Sequence, residues 1–181
     1  MKWLWRTLAV LASIVVLSIA GLFAAGLRSG AGRAHASIDI AKPPSRVWAW
    51  ATEPDKLKSW ISWVVEVRPM QPGPPAVGAK QVWVMQDAYN GNARMQFVDQ
   101  VTSVEPNRSI TVHIDAEGAF SGDSSFTLTD LGNGHTRFEN TGTFRYSQWF
   151  ARLLEPLVTP QAEKKMSMDL QKLKTLVEAE P

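Results

Sequence analysis

The chain has 181 residues, 45% of them hydrophobic, no cysteine, and 19 basic against 17 acidic side chains for a net charge of +2. That length fits one domain, or one domain with an appendage, and the lack of cysteine excludes disulfides, Cys-ligated zinc, iron–sulfur clusters and thiol nucleophiles. Lys2, Arg6, Arg28 and Arg33 all fall within the first 36 residues, which hold no acid, so the remainder carries 15 bases against 17 acids, a net of −2. The basic excess flanks one apolar stretch and leaves no clustered basic face for nucleic acid.

That stretch, Thr7 to Leu27, is 21 uncharged residues. As a helix it measures roughly 31 Å, close to the ~30 Å hydrocarbon core of a bilayer. Trp3 and Trp5 stand where interfacial aromatics belong. A cleaved signal peptide is the competing reading, because Ala34-His35-Ala36 fits the small-x-small pattern. Against it, the run exceeds the ~7–15 residues of a signal core, and Arg28 and Arg33 lie between the run and that site. The sequence thus divides into a membrane anchor (1–27), a tether (28–34) and a domain (35–181), single-pass, with membrane contact through residues 7–27. The short basic head before the span puts the N-terminus in the cytoplasm and the domain on the extracytoplasmic side.

Beyond the tether, His35 to Ile40 alternates as a short strand, ended by Pro43-Pro44. Pro44–Ala51 suits a short helix with Val47, Trp48 and Ala51 on one face, and Asp55–Trp60 suits another turn of helix. From Trp63 the period becomes two, with Trp63, Val65 and Val67 alternating with Val64, Glu66 and Arg68. Two strands then flank Asn90-Gly91, a strong hairpin signal. Taken as the two loop residues, they pair Asp87 with Arg94, Val84 with Phe97, Trp83 with Val98 and Met85 with Gln96. That register turns Val84 and Phe97 inward and sets Trp83, Met85 and Val98 on the outer face. Ile110, Val112 and Ile114 alternate with Thr111, His113 and Asp115. A three-residue loop Gly132-Asn133-Gly134 then pairs Leu128 with Phe138, Phe126 with Asn140 and Ser124 with Gly142. At the C-terminus Ala162, Met166, Leu170, Leu173 and Val177 recur at helical spacing, with Thr159-Pro160 as cap and first-turn proline. Trp149, Leu153 and Leu157 form an earlier apolar row, and Pro156 predicts a kink or a division of that helix. Strand, two short helices, six meandering strands and a long helix predict an α+β fold in which an antiparallel sheet of about seven strands curls around the helix.

In this order the stretches Ser37–Trp60, Val77–Val84, Phe97–Ile114, Phe126–Asn140 and Met168–Glu180 resemble the START-like (SRPBCC) superfamily, the helix-grip proteins that include polyketide cyclases/dehydrases and lipid-transfer domains. The first carries an apolar strand, then "KPPSRVW", "TEP" and a tryptophan; the last closes on "DLQKLKTLVE". The resemblance implies a hydrophobic pocket between sheet and long helix. The inner-face assignments line that pocket with Val84, Phe97, Val112, Phe126, Leu128, Phe138, Asn140, Met166 and Leu170. It does not fix an activity, since the same frame serves enzymes, carriers and sensors.

The residues offer little catalytic machinery. No nucleotide loop, zincin motif or nucleophile elbow is present. His35, His113 and His135 share no site, so neither metal nor other cofactor is expected. The Asn107-Arg108-Ser109 triplet matches a glycosylation pattern by chance, and Tyr89 and Tyr146 flank turns. Trp48, Trp60 and Trp63 are expected to pack the short helices onto the sheet. Asp99 shares a face with Phe97 and Val101 and, if buried, would have a raised pKa suited to a general base or to binding a hydroxyl. Its plainer reading is a hydrated or paired carboxylate near the strand end, and Asn140 is expected to bond to neighbouring backbone.

Three functions remain. The first is a membrane-tethered domain whose partner is a small hydrophobic ligand. The second is a cyclase/dehydrase-type enzyme using Asp99 and Asn140, with Arg94 placed outward. The third is an interaction module presenting Trp83 on its surface.

Overall fold

The computed structural model describes residues 2–29, 32–87 and 92–181. Among the described residues the chain forms helix α1 (Lys2–Ser29), strand β1 (Gly32–Ile40), helices α2 (Pro44–Thr52) and α3 (Pro54–Trp60), strands β2 (Val64–Pro69), β3 (Lys80–Asp87), β4 (Ala93–Glu105), β5 (Ser109–Ala116), β6 (Phe120–Gly132) and β7 (His135–Tyr146), and helix α4 (Trp149–Ala179). The seven strands make one antiparallel sheet in the order β1-β7-β6-β5-β4-β3-β2. This is the helix-grip fold expected from the sequence. The first strand begins at Gly32 rather than at His35, and Gly30 and Ala31 lie outside the described residues.

Local chemistry explains the short helices. Pro44 and Pro54 each open one, where a missing N–H costs nothing, and the chain between them turns at Glu53 in an extended conformation. Val47, Trp50 and Ala51 of α2 and Leu57 and Trp60 of α3 are buried. Together they carry the chain from one sheet edge to the other and close one end of the grip. Trp60 is 1% exposed, sits edge-on to Phe138 with centroids 6.0 Å apart, and gives its indole N–H to the Trp50 carbonyl at 2.9 Å.

In α4 the row expected from periodicity is the row that packs: Leu170, Leu173 and Val177 are fully buried against Ile40, Leu57 and Phe138. Pro156 does not divide the helix, which runs without a break from Trp149 to Ala179, and Pro160 lies well inside it rather than at its start. Both prolines are on the exposed side, where water can satisfy the carbonyls they deprive of a donor. Leu157 is exposed; the side chains of Trp149 and Leu153 lie outside the described residues.

Two registers differ from expectation. In the β3–β4 hairpin Trp83 pairs with Phe97, Val84 with Gln96, Gln86 with Arg94 and Asp87 with Ala93. This shift of one residue flips every β3 side chain relative to β4. Trp83 and Met85 point inward, and Val84 turns to the outer face. In this register Asp87 is not opposite Arg94. Asn90-Gly91 itself lies outside the described residues. In β2 a bulge between Val64 and Glu66 breaks strict alternation, so Val64 and Val67 are both buried and Val65 is exposed.

The β6–β7 hairpin has the expected pairs Leu128–Phe138, Phe126–Asn140 and Ser124–Gly142. Its turn is tighter than predicted. Gly132 pairs with His135, Asn133 and Gly134 take φ of 53° and 75°, and a bulge between Asp130 and Gly132 restores the register.

Glycine gives the sheet its curl. A Cβ on Gly122 would lie 1.8 Å from the Thr143 carbonyl oxygen, and one on Gly142 would lie 2.4 Å from the Phe144 ring. At Gly122 the β7 backbone approaches more closely than any side chain allows, whereas at Gly142 the Phe144 ring of the same strand takes the place of a side chain.

Candidate functional site

The concave face of the sheet has two unlike halves. Toward the far end, where β1 finishes and α4 closes, Ile40, Leu128, Phe138, Leu170, Leu173 and Val177 are sealed around Trp60. Toward the near end, where β1 begins and β7 finishes, the inward-facing Trp83, Met85, Val112, Phe120, Phe126, Asn140 and Phe144 keep partial solvent access, as does Met166 on α4. Between them runs a strip of small side chains: Ala34 and Ala36 on β1, Gly142 on β7, and Gly122 and Ser124 on β6. Ala34, Ala36 and Gly142 are buried, with the Phe144 ring lying over Gly142, whereas Gly122 and Ser124 keep partial access beside the larger near-end side chains.

Of the residues expected to line a sheet–helix pocket, Phe97, Val112, Phe126, Asn140 and Met166 belong to or border this more open half. Leu128, Phe138 and Leu170 belong to the sealed core. Val84 is not on this face, and Trp83 takes its place by the register shift.

Asp99 stands in the near-end wall with 1% exposure. Its Oδ2 accepts a hydrogen bond from the Trp83 Nε1–H at 2.8 Å, and Trp83 in turn stacks on Phe97 with ring centroids 6.0 Å apart. Among the described residues Oδ1 is buried without a partner. Burial pushes the carboxyl up to about 6, against the pull of the Trp83 indole and the Gln81 backbone N–H. The plainer expectation, a hydrated or base-paired carboxylate, does not hold.

Asn140 faces Phe126 and Ala36 as expected, three strands away from Asp99. Across the strands that is about 14 Å at ~4.8 Å per strand, and Asn140 lies a further four residues along β7 from Phe144, the residue in line with Asp99. Asp99 and Asn140 therefore do not converge on one point, and Arg94 is exposed. Tyr146 lies at the near-end rim, its phenol pushed up by burial and by the neighbouring Glu155 charge; Tyr89 lies outside the described residues.

Sequence reasoning missed Asp169. It is 6% exposed on α4, next to Leu170. Its Oδ1 accepts from the Ser62 hydroxyl at 2.6 Å and from the Ser62 N–H at 3.2 Å, while its Oδ2 binds Lys165. Lys165 also sits over the Trp63 ring, 4.4 Å from its centroid. The usable signal was the Lys165/Asp169 pair at i, i+4 beside the apolar row.

The histidines are dispersed. His35 pairs with Glu139 at 3.4 Å, His113 with Asp123 at 2.9 Å, and His135 with the Asn133 carbonyl at 3.1 Å. No group of three or more metal-ligating side chains occurs among the described residues. A cleft of about 780 Å³ lies at the far end between Pro44 and the β4–β5 turn, lined by Asn107, Arg108, Thr127, Thr129 and Asp130. It is a different place from the sheet–helix interior, and Leu128 is the one expected lining residue that borders it.

Helix α1 supplies the remaining feature. Trp3–Ala24, 22 residues, is long and apolar enough to cross a membrane, and none of that window is buried against the rest of the chain. A signal sequence passes the same test.

Residues 31–178 match the family described as polyketide cyclase/dehydrase and lipid transport, and the chain belongs to that family. No curated protein matches it. Among solved structures it is similar to TTHA0849 from Thermus thermophilus, at 20% identity and TM-score 0.66 over 81% of this chain and 97% of that one. It is similar to the Zhui aromatase/cyclase from Streptomyces sp. R1128, at 13% identity and TM-score 0.64 over 82% and 94%. It is also similar to Ara h 8.0201, at 11% identity and TM-score 0.61 over 82% and 98%. At these identities the likeness is one of fold.

Proposed function

We propose, from membership of the polyketide cyclase/dehydrase and lipid-transport family, that this chain is a membrane-anchored domain that holds a small hydrophobic ligand between the near-end half of its sheet and α4. The observation that carries the reading is the contrast along the concave face. Large apolar side chains such as Trp83, Phe126 and Met166 face inward yet stay partly accessible beside a strip of glycine, alanine and serine, while the far half is sealed. Apolar surface left uncovered in this way is what a hydrophobic guest removes from water, at ~25 cal/mol per Å² buried.

Anchoring rests on α1, whose apolar window Trp3–Ala24, charged only at Arg6, matches the hydrocarbon thickness and is not buried against the rest of the chain. Resistance to alkaline carbonate extraction, with Trp3 still present by N-terminal sequencing, supports it. Release of the chain into the supernatant, or loss of residues 1–36 on maturation, rules it out.

The ligand is tested by organic extraction and mass spectrometry of the full chain purified from membranes, beside a Ser124→Phe variant. Ser124 sits in the small strip opposite Gly142 and is half-buried, so a phenyl ring there adds bulk to the near-end half. A recurrent apolar molecule recovered with wild type and depleted in the variant supports the reading. Equal recovery from both, or none from wild type, overturns it.

A further inference from the structure

Very little chain joins α1 to the domain. The helix ends at Ser29 and β1 begins at Gly32, so three Cα steps of 3.8 Å, at most about 11 Å, separate them. From Ala24, the end of the apolar window, to Ser29 the helix adds five residues, about 7.5 Å. Gly32 is thus held within about 19 Å of the hydrocarbon edge, and the headgroup layer occupies roughly 5–8 Å of that distance. Chain length alone keeps the near end of the domain at the membrane surface.

The first half of α4 stands at that end. A Cβ on Gly32 would lie 3.0 Å from Thr159 Oγ1 and 3.1 Å from Glu155 Cγ, and α1 touches α4. Further along α4 Leu170, Leu173 and Val177 are fully covered and Met168 stands alone at 64% exposed, while nearer its start the adjacent Leu157 and Val158 are 60% and 40% exposed. At the same end of the fold Arg152 is exposed, its Nε–H given to the Tyr146 carbonyl at 2.8 Å, and Arg33 and Arg145 are exposed on the outer face of the sheet; the acids beside them are the half-buried Glu155 and, on the β5–β6 turn, the exposed Glu117. Apolar side chains beside a cationic rim, next to the point where a span emerges, match an interfacial lipid contact.

We infer that the first half of α4 rests on the membrane, with Leu157 and Val158 in the interfacial layer and Arg33, Arg145 and Arg152 on anionic lipid phosphates. The near-end opening then faces the bilayer, and an apolar guest exchanges with lipid without crossing bulk water. This inference rests on the anchoring proposed above, so its test separates the two.

The cysteine-free chain allows single labelling sites. Ile14→Cys, Leu157→Cys and Leu131→Cys are each nitroxide-labelled in the full chain. The proteins are reconstituted in phosphatidylcholine vesicles with about 30% phosphatidylglycerol, and collision with oxygen is compared with collision with a water-soluble nickel chelate. Leu131 lies at the far-end turn and is 42% exposed. Position 157 is expected to show a several-fold higher oxygen-to-nickel ratio than position 131, intermediate between 131 and 14. A ratio at 157 equal to that at 131, with 14 still lipid-like, overturns the inference and leaves the anchor standing. A nickel-accessible position 14 removes the anchor and this inference together. In pure phosphatidylcholine, or in an Arg145→Glu/Arg152→Glu background, the ratio at 157 is expected to fall; an unchanged ratio overturns the arginine contacts.

Discussion

The Trp83 indole gives its N–H to Asp99 Oδ2 at 2.8 Å, while Asp99 Oδ1 is buried with no partner among the described residues. The Trp83 indole and the Gln81 backbone N–H favour the ionised carboxylate, but burial in an apolar wall makes it costly and outweighs both. Its folded-state pKa of about 6 lies above the unfolded value of about 3.9. The native state thus keeps a proton that the unfolded chain has already lost. The stability linked to that proton is fully present below the unfolded value and is lost as pH rises through 6. From pH 5 to pH 7.5 the loss is on the order of 1 kcal/mol. Urea unfolding of the full chain in detergent micelles should give a higher midpoint at pH 5, and Asp99→Asn should flatten the difference. A wild-type midpoint at pH 5 equal to or below that at pH 7.5 contradicts this account.

Trp83→Phe keeps a ring stacked on Phe97 and deletes only the donor. It is expected to cost about 1–3 kcal/mol at neutral pH, and less at pH 5, where the carboxyl is protonated. Val84→Ser, on the outer face, should change stability by less than about 0.5 kcal/mol. If the serine variant were the damaged one and the phenylalanine variant neutral, the one-residue shift of β3 against β4 would be wrong.

These residues also show what the sequence discloses. The β6–β7 register was readable because the apolar pair Leu128–Phe138 agrees with the glycine-rich turn. The β3–β4 register was not. Asn90-Gly91 and an Asp87/Arg94 pair argued for one alignment, but an exposed cross-strand ion pair contributes only about 0.2–1 kcal/mol. Burying Trp83 against Phe97, with its N–H on Asp99, outweighs that. The bulge at Val64 escaped for a related reason: alternation cannot reveal where a strand skips a residue to bury two valines. Asp169 was hidden because its partner Ser62 is 107 residues away.

The curl of the sheet makes its own prediction. Gly122→Ala should fail to fold or lose more than about 4 kcal/mol, because its Cβ would collide with backbone, which cannot move without breaking the β6–β7 ladder. Gly142→Ala meets only the Phe144 ring, which can rotate, and should cost about 1–3 kcal/mol. Thermal melts by circular dichroism distinguish the two; equal melting temperatures would show that backbone contact is not what requires glycine in β6.

The Ser62–Asp169–Lys165 cluster ties the α3–β2 corner to the middle of α4, at the junction between its sealed and open halves. Asp169→Ala removes the acceptor for the Ser62 hydroxyl and N–H and leaves Lys165 over Trp63 without its carboxylate, so a loss of about 2–4 kcal/mol is expected. Ser62→Ala removes one hydroxyl and should cost about 1 kcal/mol. In the double variant most of the serine effect should vanish, because its partner is already gone. Hydrogen exchange gives the more telling measurement. With the tie cut, amides of α4 before Met166 should exchange faster while those around Leu173 keep their protection, since only the latter are locked by the Trp60 core. Uniform loosening of the whole helix would show instead that α4 behaves as one rigid unit and that the cluster merely adds to its stability.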